Sequence, residues 1–476
     1  MSLLIVGLDN TIVNVALPSI HRSLHASFSG LQWTIDAYTL VLASLLMLAG
    51  STADRVGRRR IFQLGLSLFS VGSLLCALAP NLGLLIAARV LQAIGGSMLN
   101  PVAMSIIRNV FEDPRERARA IGVWGGVIGI SMALGPVVGG ALTDSVGWPA
   151  VFLVNVPIGL TAIVLTAAFV PESRADRPRR FDPVGQVLVI VGLATLTYAI
   201  IQGPSHGWLS AGSLIEFAVA LIALAALVRY ELRRFEPLIQ VRFFASAPFS
   251  GASAIAVATF AALGGFLFLN TLYLQDVRGL SPFQAGLYTL PLAGVTLVVA
   301  PLSGRLVGNR GSRGPLIGGS LALTASGAIL TQLTDHTPLA VLVVAYAVFG
   351  LGFGLINPPI TNTAVSGMPP AQAGVAAAVA STSRQVGQTL GVAVLGALAG
   401  ASAAGGGLGG SLASASHVSW WIIVGLGVLT LGLAIVTTTA WAQQTAMRTA
   451  QRLTEDHAGP VGEPSHEASR SELVAG

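Results

Sequence analysis

The run from Gly50 to Arg60, Gly-Ser-Thr-Ala-Asp-Arg-Val-Gly-Arg-Arg-Arg, constrains this chain more than any other stretch. It sets four arginines and one aspartate between two apolar segments, each long enough to cross a bilayer at about 20 residues per span. A loop this charged cannot lie in hydrocarbon, so it fixes a turn at the membrane surface, and its arginines mark that surface as the cytoplasmic one. Gly50 and Gly57 place small residues where two helix ends must approach closely.

Composition agrees with a polytopic membrane protein: 53% of the 476 residues are hydrophobic and 10% are charged. All 26 basic residues are arginine. Without lysine there is no Gly-Lys-Ser/Thr phosphate loop and no lysine Schiff base. The high arginine content is no pointer to nucleic acid, because the arginines sit in short loops between spans. The single cysteine, Cys76, permits no intramolecular disulfide. The seven histidines fall in loops or the tail with no metal-ligand spacing. No nucleophile, base or metal cluster suggests a membrane-embedded enzyme, and no cofactor is implied. The first apolar segment lacks a basic leader and contains Asp9, so it does not read as a cleavable signal.

Span counting gives fourteen apolar stretches: 2–20, 31–51, 61–79, 84–107, 120–142, 150–170, 184–203, 211–228, 248–274, 283–303, 315–334, 338–359, 374–399 and 420–441. With both termini cytoplasmic, 22 of the 26 arginines fall in cytoplasmic loops or the tail. Arg22 and Arg278 face outward, and Arg89 and Arg384 lie within spans. This bias fixes orientation. Aligning Gly50–Arg59 with Gly304–Arg313, 254 positions later, matches two glycines and the final arginine. Both segments follow the second span of a six-span set if spans 1–6 and 9–14 form two repeats. The expected organisation is then a six-helix bundle over 1–170, a linker and two inserted helices over 171–247, a second bundle over 248–441 and a disordered cytoplasmic tail over 442–476. Residues 400–416 read as a flexible outer loop.

A carboxylate inside a transmembrane helix costs about 2.5–3.5 kcal/mol on insertion scales, so its presence suggests a use or a partner. Asp9 in span 1 and Asp36 in the first turns of span 2 are the leading acids. Burial favours the protonated form and a nearby cation favours the ionised one. A site alternating between those states could exchange a proton for a cationic solute. The alternatives are a structural hydrogen bond for Asp9 and a solvated helix cap for Asp36. Arg89 could pair with ionised Asp9 and release it on protonation, or form a permanent structural pair. Arg384 has no obvious acidic partner in its own half, and a structural or solute-binding role stands open for it. The glycines of span 5, with Pro136, permit close backbone approach and remove a helical hydrogen bond.

These segments together resemble the major facilitator superfamily, specifically its fourteen-span drug:proton antiporters of the EmrB/QacA type, which are bacterial multidrug and antibiotic efflux pumps. Leu8-Asp9-Asn10-Thr11-Ile12-Val13-Asn14-Val15-Ala16-Leu17-Pro18 is similar to that family's first-helix signature. Gly50–Arg60 is similar to the loop signature between helices 2 and 3. Arg89-Val90-Leu91-Gln92-Ala93-Ile94-Gly95-Gly96 resembles the fourth-helix pattern, with Ala93 where glycine is usual. Gly125 to Gly129 and Gly135-Pro136-Val137-Val138-Gly139-Gly140 resemble the antiporter motif of helix 5. Trp148, Phe152 and Asn155-Val156-Pro157-Ile158-Gly159 follow, with Pro149 where arginine is common. Relatives carry a longer lead-in before Asp9, which here lies about 12 Å into the helix. A start placed too far downstream would truncate the first helix.

The resemblance implies an all-α integral membrane fold of two six-helix bundles plus two inserted helices. It implies a proton-coupled antiporter, not an enzyme, that exports amphiphilic, cationic drugs across the bacterial cytoplasmic membrane as a monomer. A dedicated exporter of one metabolite, self-made antibiotic or lipid is the alternative. Its implied residues are Asp9, Asp36 and Arg89 for proton coupling and substrate. A cytoplasmic gate would use Gly50, Asp54, Arg55, Gly57 and Arg58, with Asp54 latched to the arginines. Gly129, Gly135, Pro136, Gly139 and Gly140 would form the antiporter helix, and Arg384 a second-half site.

Overall fold

The computed structural model describes residues 1–111, 113–175, 181–234, 236–369, 372–405 and 412–458. In chain order the helices are α1 (Ser2–Leu24), α2 (Phe28–Val56), α3 (Arg58–Ala77), α4 (Leu82–Ser97), α5 (Leu99–Val110), α6 (Pro114–Ser145), α7 (Ala150–Leu153), α8 (Asn155–Phe169), α9 (Pro183–His206), α10 (Ala211–Glu231), α11 (Ala247–Leu272), α12 (Pro282–Arg310), α13 (Arg313–Leu330), α14 (Leu339–Val365), α15 (Ala373–Gly405), α16 (Leu412–Ala415), α17 (His417–Thr437) and α18 (Ala440–Ala458). Each of the fourteen expected stretches falls on helix. Among the described residues, eleven helical segments are long and apolar enough to cross a membrane. The expected stretches outside that set are α6, α13 and α15.

Local chemistry starts and stops these helices. Ser27, Asn81 and Asp182 cap α2, α4 and α9 by accepting from Gly30, Leu84 and Gly185 N–H groups. Ser281 and Gln284 form a reciprocal capping box on α12. The two aligned repeat segments end alike. α2 stops at Gly57 (φ 129°) and α12 at Gly311 (φ 79°), both in the region that favours glycine. The next helix starts at Arg58 in the first case and Arg313 in the second. The similarity of three residues thus marks two helix ends that each stop at a positive-φ glycine.

α1 to α8 form one bundle and α11 to α17 the other. The bundles meet along α2 against α15 and α6 against α12. At the end remote from the arginine-rich loops, Gln32 donates to the carbonyls of Val392 and Ala393, both at 2.9 Å. Gln275 donates to the Val15 carbonyl at 2.8 Å. Asp144 accepts from the Ser281 hydroxyl at 2.7 Å and the Phe283 N–H at 2.9 Å. A Cβ on Gly140 would run into the backbone of Pro282, and one on Gly286 into the backbone of Pro136. The seam is glycine laid against backbone, which leaves no room for a side chain.

The inserted pair packs α9 on α10 and lays α9 over the line where α2 meets α15. Gln186 donates to the Ser44 carbonyl at 2.8 Å, and Ile200 and Ile201 cluster with Ala393, Ala397, Trp33 and Leu390. The tail departs from expectation. Residues 442–458, expected as disordered, lie on the helix α18. Ala442, Ala446, Thr449 and Leu453 recur at helical spacing on its buried face, which packs on α11. That stripe of small residues is too weakly apolar to stand out from a polar sequence. Residues 406–411 and 459–476 lie outside the described residues, as do the corresponding parts of the expected outer loop and tail.

The seam yields a test. Asp144→Cys with Ser281→Cys, in a Cys76→Ser background, should cross-link readily under mild oxidation. Adding Gly140→Val should cut the yield several-fold, read by a gel-shift assay; undiminished cross-linking would show that the seam tolerates the added methyls.

Candidate functional site

Inside the first bundle, polar side chains from five helices converge on Asp9. Arg89 Nη1 donates to Asp9 Oδ2 at 2.6 Å. Gln92 Nε2 and Asn155 Nδ2 donate to Oδ1 at 2.8 and 3.1 Å. Arg89 Nε reaches the Thr34 carbonyl at 3.1 Å, and Nη1 also donates to Gln92 Oε1 at 2.7 Å. Gln92 Nε2 further bonds Ser73 Oγ at 2.8 Å. The guanidinium lies 4.1 Å from the centre of the Tyr38 ring, a cation–π contact. Asp9 is 0% and Arg89 1% exposed. An ion pair so deeply buried is tolerable only when further hydrogen bonds satisfy both partners, and here they do.

This geometry decides what Asp9 can touch. Both carboxylate oxygens are occupied by donors of its own bundle, so in this state its partner is Arg89 and not a bound solute. The sequence brought Asp9 and Arg89 forward. Gln92 and Asn155, which complete the shell, stood within the quoted motifs without a role. Gln92 follows Arg89 by three positions and so shares its helix face. Asn155 is the lone amide at the head of an apolar helix. Those were the signals available; Ser73 and the Thr34 carbonyl gave none.

Asp36 is elsewhere. It sits in the third turn of α2, fully buried, and Ser27 is the cap. Burial in the seam replaces the solvated position weighed for it. Its Oδ1 accepts from Thr39 Oγ1 at 3.4 Å, while Oδ2 has no hydrogen-bond partner. Thr389 of α15 donates to the same Thr39 hydroxyl at 2.8 Å. Asp36 therefore borders the contact between the bundles, about one turn along α2 from the Gln32 bonds.

In the loop at the arginine-rich end, Arg58 Nε and Nη2 converge on Asp54 Oδ1 at 3.0 and 2.8 Å. The loop is tied to the segment after α8. Arg58 N–H donates to the Ser173 carbonyl and Ala175 N–H to the Asp54 carbonyl. Arg59 N–H donates to Glu172 Oε1 at 3.1 Å. Gly57 abuts the Glu172 carboxylate, and Gly50 packs on Pro101. Arg55, in the last turn of α2, is exposed. Asp54 thus latches to Arg58 within the loop, and Glu172 is an anchor that sequence reading missed.

On α6, Gly135 and Gly139 receive α1 at Thr11 and Ile12, and Pro136 and Gly140 face α12. Gly129 lies outside the residues whose surroundings are described. In the second bundle, Arg384 Nη2 donates to Thr361 Oγ1 at 2.6 Å and, at 3.5 Å, to the Asn357 carbonyl. Its guanidinium lies 5.9 Å from the Phe260 ring. Among the described residues no cluster of His, Cys, Asp and Glu could hold a metal ion.

The sequence model of the Major Facilitator Superfamily matches residues 1–392. The chain belongs to the major facilitator superfamily. It is 38% identical over 396 residues to the multidrug resistance protein Stp of Mycobacterium tuberculosis, covering 83% of this chain and 74% of that one. It is 38% identical over 398 residues to the tetracenomycin C resistance and export protein of Streptomyces glaucescens, covering 83% and 74%. The methylenomycin A resistance protein of Streptomyces coelicolor is 37% identical over 390 residues, 82% of each chain. A bacterial homologue of the lysosomal transporter Spinster shares the fold, with a TM-score of 0.63 at 19% identity over 96% of both chains. Major facilitator proteins are transporters, not an enzyme class, and the chain is a multi-pass membrane transporter with drug-efflux relatives.

The buried pair gives a second test. Asp9→Asn leaves an uncompensated guanidinium in the bundle, which should cost about 3–5 kcal/mol and lower the melting temperature in detergent. Adding Arg89→Gln should recover most of that loss, because no lone charge then remains. Additive losses would show that the two do not act as a pair.

Proposed function

We propose that the chain is a fourteen-span, proton-coupled antiporter that exports amphiphilic, cationic drugs across the bacterial cytoplasmic membrane by alternating access. The arginine-rich end and both termini face the cytoplasm, as the arginine distribution argues. The bonds of Gln32, Gln275 and Asp144 then close the outer side, so this state is inward-facing. The relatives named as multidrug and antibiotic resistance proteins support export.

The observation that carries proton coupling is the Asp9–Arg89 pair. Protonating Asp9 would release the ionic bond of Arg89 and leave it held by Gln92, on its own helix, and by Thr34, on α2. That helix also carries Gln32, Asp36 and Thr39, which face α15. A proton on α1 is thereby linked to the packing between bundles, and Asp36, with one unbonded oxygen, is placed to take a proton or a cation there. Gly50, Asp54, Arg55, Gly57 and Arg58 act as the cytoplasmic gate, and the α6 glycines as the outer seal. One proton exchanged for one monovalent cation moves no net charge. Two protons, one each on Asp9 and Asp36, would add the membrane potential, about 2.3 kcal/mol per charge per 100 mV.

A narrower reading is favoured by the two relatives named for single antibiotics: a dedicated exporter with the same coupling. Inverted vesicles under an imposed acid-inside gradient separate the two. Ethidium should accumulate with the wild-type protein, and Asp9→Asn should slow it at least about tenfold, a coupling loss of about 1.4 kcal/mol. Wild-type vesicles that contain inserted protein but move no dye would favour the dedicated exporter.

A further inference from the structure

Arg89 and Arg384 are the two arginines within expected spans, and their surroundings differ in kind. Arg89 is neutralised by Asp9. Arg384 is not neutralised: among the described residues no carboxylate lies within ion-pair distance of it. Its own bundle cannot supply one, because the acids between 248 and 441 are Asp276 and Asp335. Both lie at the outer ends, in the turn Tyr273–Val277 and in the loop between α13 and α14. Arg384 stands eleven residues into α15, about 16 Å along its axis at 1.5 Å per residue.

Its hydrogen bonding is also incomplete. A guanidinium offers five N–H groups in a planar fork. Nη2 uses neutral acceptors, Thr361 Oγ1 and the Asn357 carbonyl, while Nε is buried with no hydrogen-bond partner. Buried donors are nearly always satisfied, and an unsatisfied one calls for a ligand or a function. The residue as a whole is half-buried rather than enclosed, while Nε itself is sealed. Its place is where α11, α14 and α15 meet, on the cytoplasmic side of the Thr389–Thr39 bond between bundles. A permanent charge in a span, lacking both counter-ion and full hydrogen bonding, is costly unless something arrives to complete it.

We propose that Arg384 is an oxyanion-binding point, which takes a carboxylate or phosphate group carried by an amphiphile entering from the cytoplasmic side. The planar fork suits two-oxygen groups, which it can bind with paired, charge-assisted hydrogen bonds. Thr361 holds one end of the guanidinium in place and leaves Nε without a protein acceptor. This rests on the export reading for the origin of the ligand and deepens it. The solutes handled would include zwitterions and organic anions, with a cationic end available to Asp36 across the seam. A lipid phosphate of the inner leaflet offers the same chemistry.

Binding, not transport, tests this, so its outcome is separate from that of the coupling experiment. Purified protein in phosphatidylcholine nanodiscs is titrated with pyrenebutyrate and with its methyl ester, with empty nanodiscs subtracted. The wild type should bind the carboxylate at least about tenfold more tightly than the ester, about 1.4 kcal/mol. Arg384→Gln should abolish that preference and leave ester affinity unchanged, and Arg384→Lys, a point charge without the fork, should keep part of it. Should the glutamine variant not fold, the wild-type comparison and the lysine variant decide. Repeating the titration with phosphatidylglycerol included identifies the source: competition in the wild type but not in the glutamine variant assigns the site to lipid phosphate, and its absence to solute carboxylate. Equal affinity of the wild type for acid and ester, or an equal loss of both in Arg384→Gln, would overturn the proposal.

Discussion

The Asp9–Arg89 pair is the contact on which the first bundle depends. Lipid supplies no hydrophobic force between helices, so packing, interhelical hydrogen bonds and charge pairs must hold them together. Through Asp9, Arg89, Gln92, Ser73, Asn155 and the Thr34 carbonyl, one network ties α1, α2, α3, α4 and α8. α6 is joined differently, by glycines that admit the α1 backbone. Each charge in the network is tolerable only because the other is present. The network is complete only while Asp9 is ionised, and the proton coupling proposed above rests on that dependence.

The two bundles divide the labour unequally. The first concentrates ionisable groups in its spans, with Asp9, Asp36 and Arg89. The second has no acid in its spans beyond the outer-end Asp276, and a single arginine in their interior. Its framework relies on hydroxyl-to-carbonyl bonds, such as Ser326 to Ala345, Ser303 to Leu355 and Thr296 to Gly350. Tyr346 adds a hydrogen bond to Asn270. Neutral bonds of this kind do not change with proton binding, whereas a carboxylate–guanidinium pair does. α2 lies between them and carries both the Arg89 contact and the Gln32 and Thr39 bonds to α15.

Much of this was legible before any coordinates, and for physical reasons. Bilayer thickness sets span length and arginines avoid hydrocarbon, so helix positions and the repeat of the Gly57 and Gly311 turns could be read from the chain. Asp9 and Arg89 stood out because charge in a span is rare. What stayed hidden was partnership. Gln92, Asn155 and Ser73 are ordinary residues whose importance comes from meeting a charge on another helix, and no local pattern encodes that meeting. Asp36 was placed near solvent because its helix begins a turn earlier than the apolar run suggests, which carries it deeper into the seam. The tail misled in the opposite sense: α18 packs on alanines, whose burial gives little hydrophobic signal and so little warning that a helix docks there.

The same contrast separates the two span arginines. Deleting either member of the Asp9–Arg89 pair leaves the other charge alone in the bundle, so its first consequence is structural whatever its role in coupling. Arg384 stands in the reverse position, since removing it leaves no orphaned carboxylate behind. A protein under no demand for that cation would be more stable with a neutral residue there, and Thr361 and Asn357 do not compensate a full charge. The arrangement is consistent with a group whose counter-ion comes and goes with the transport cycle. Arg89 is paired with a carboxylate of its own bundle, whereas Arg384 has no carboxylate partner among the described residues.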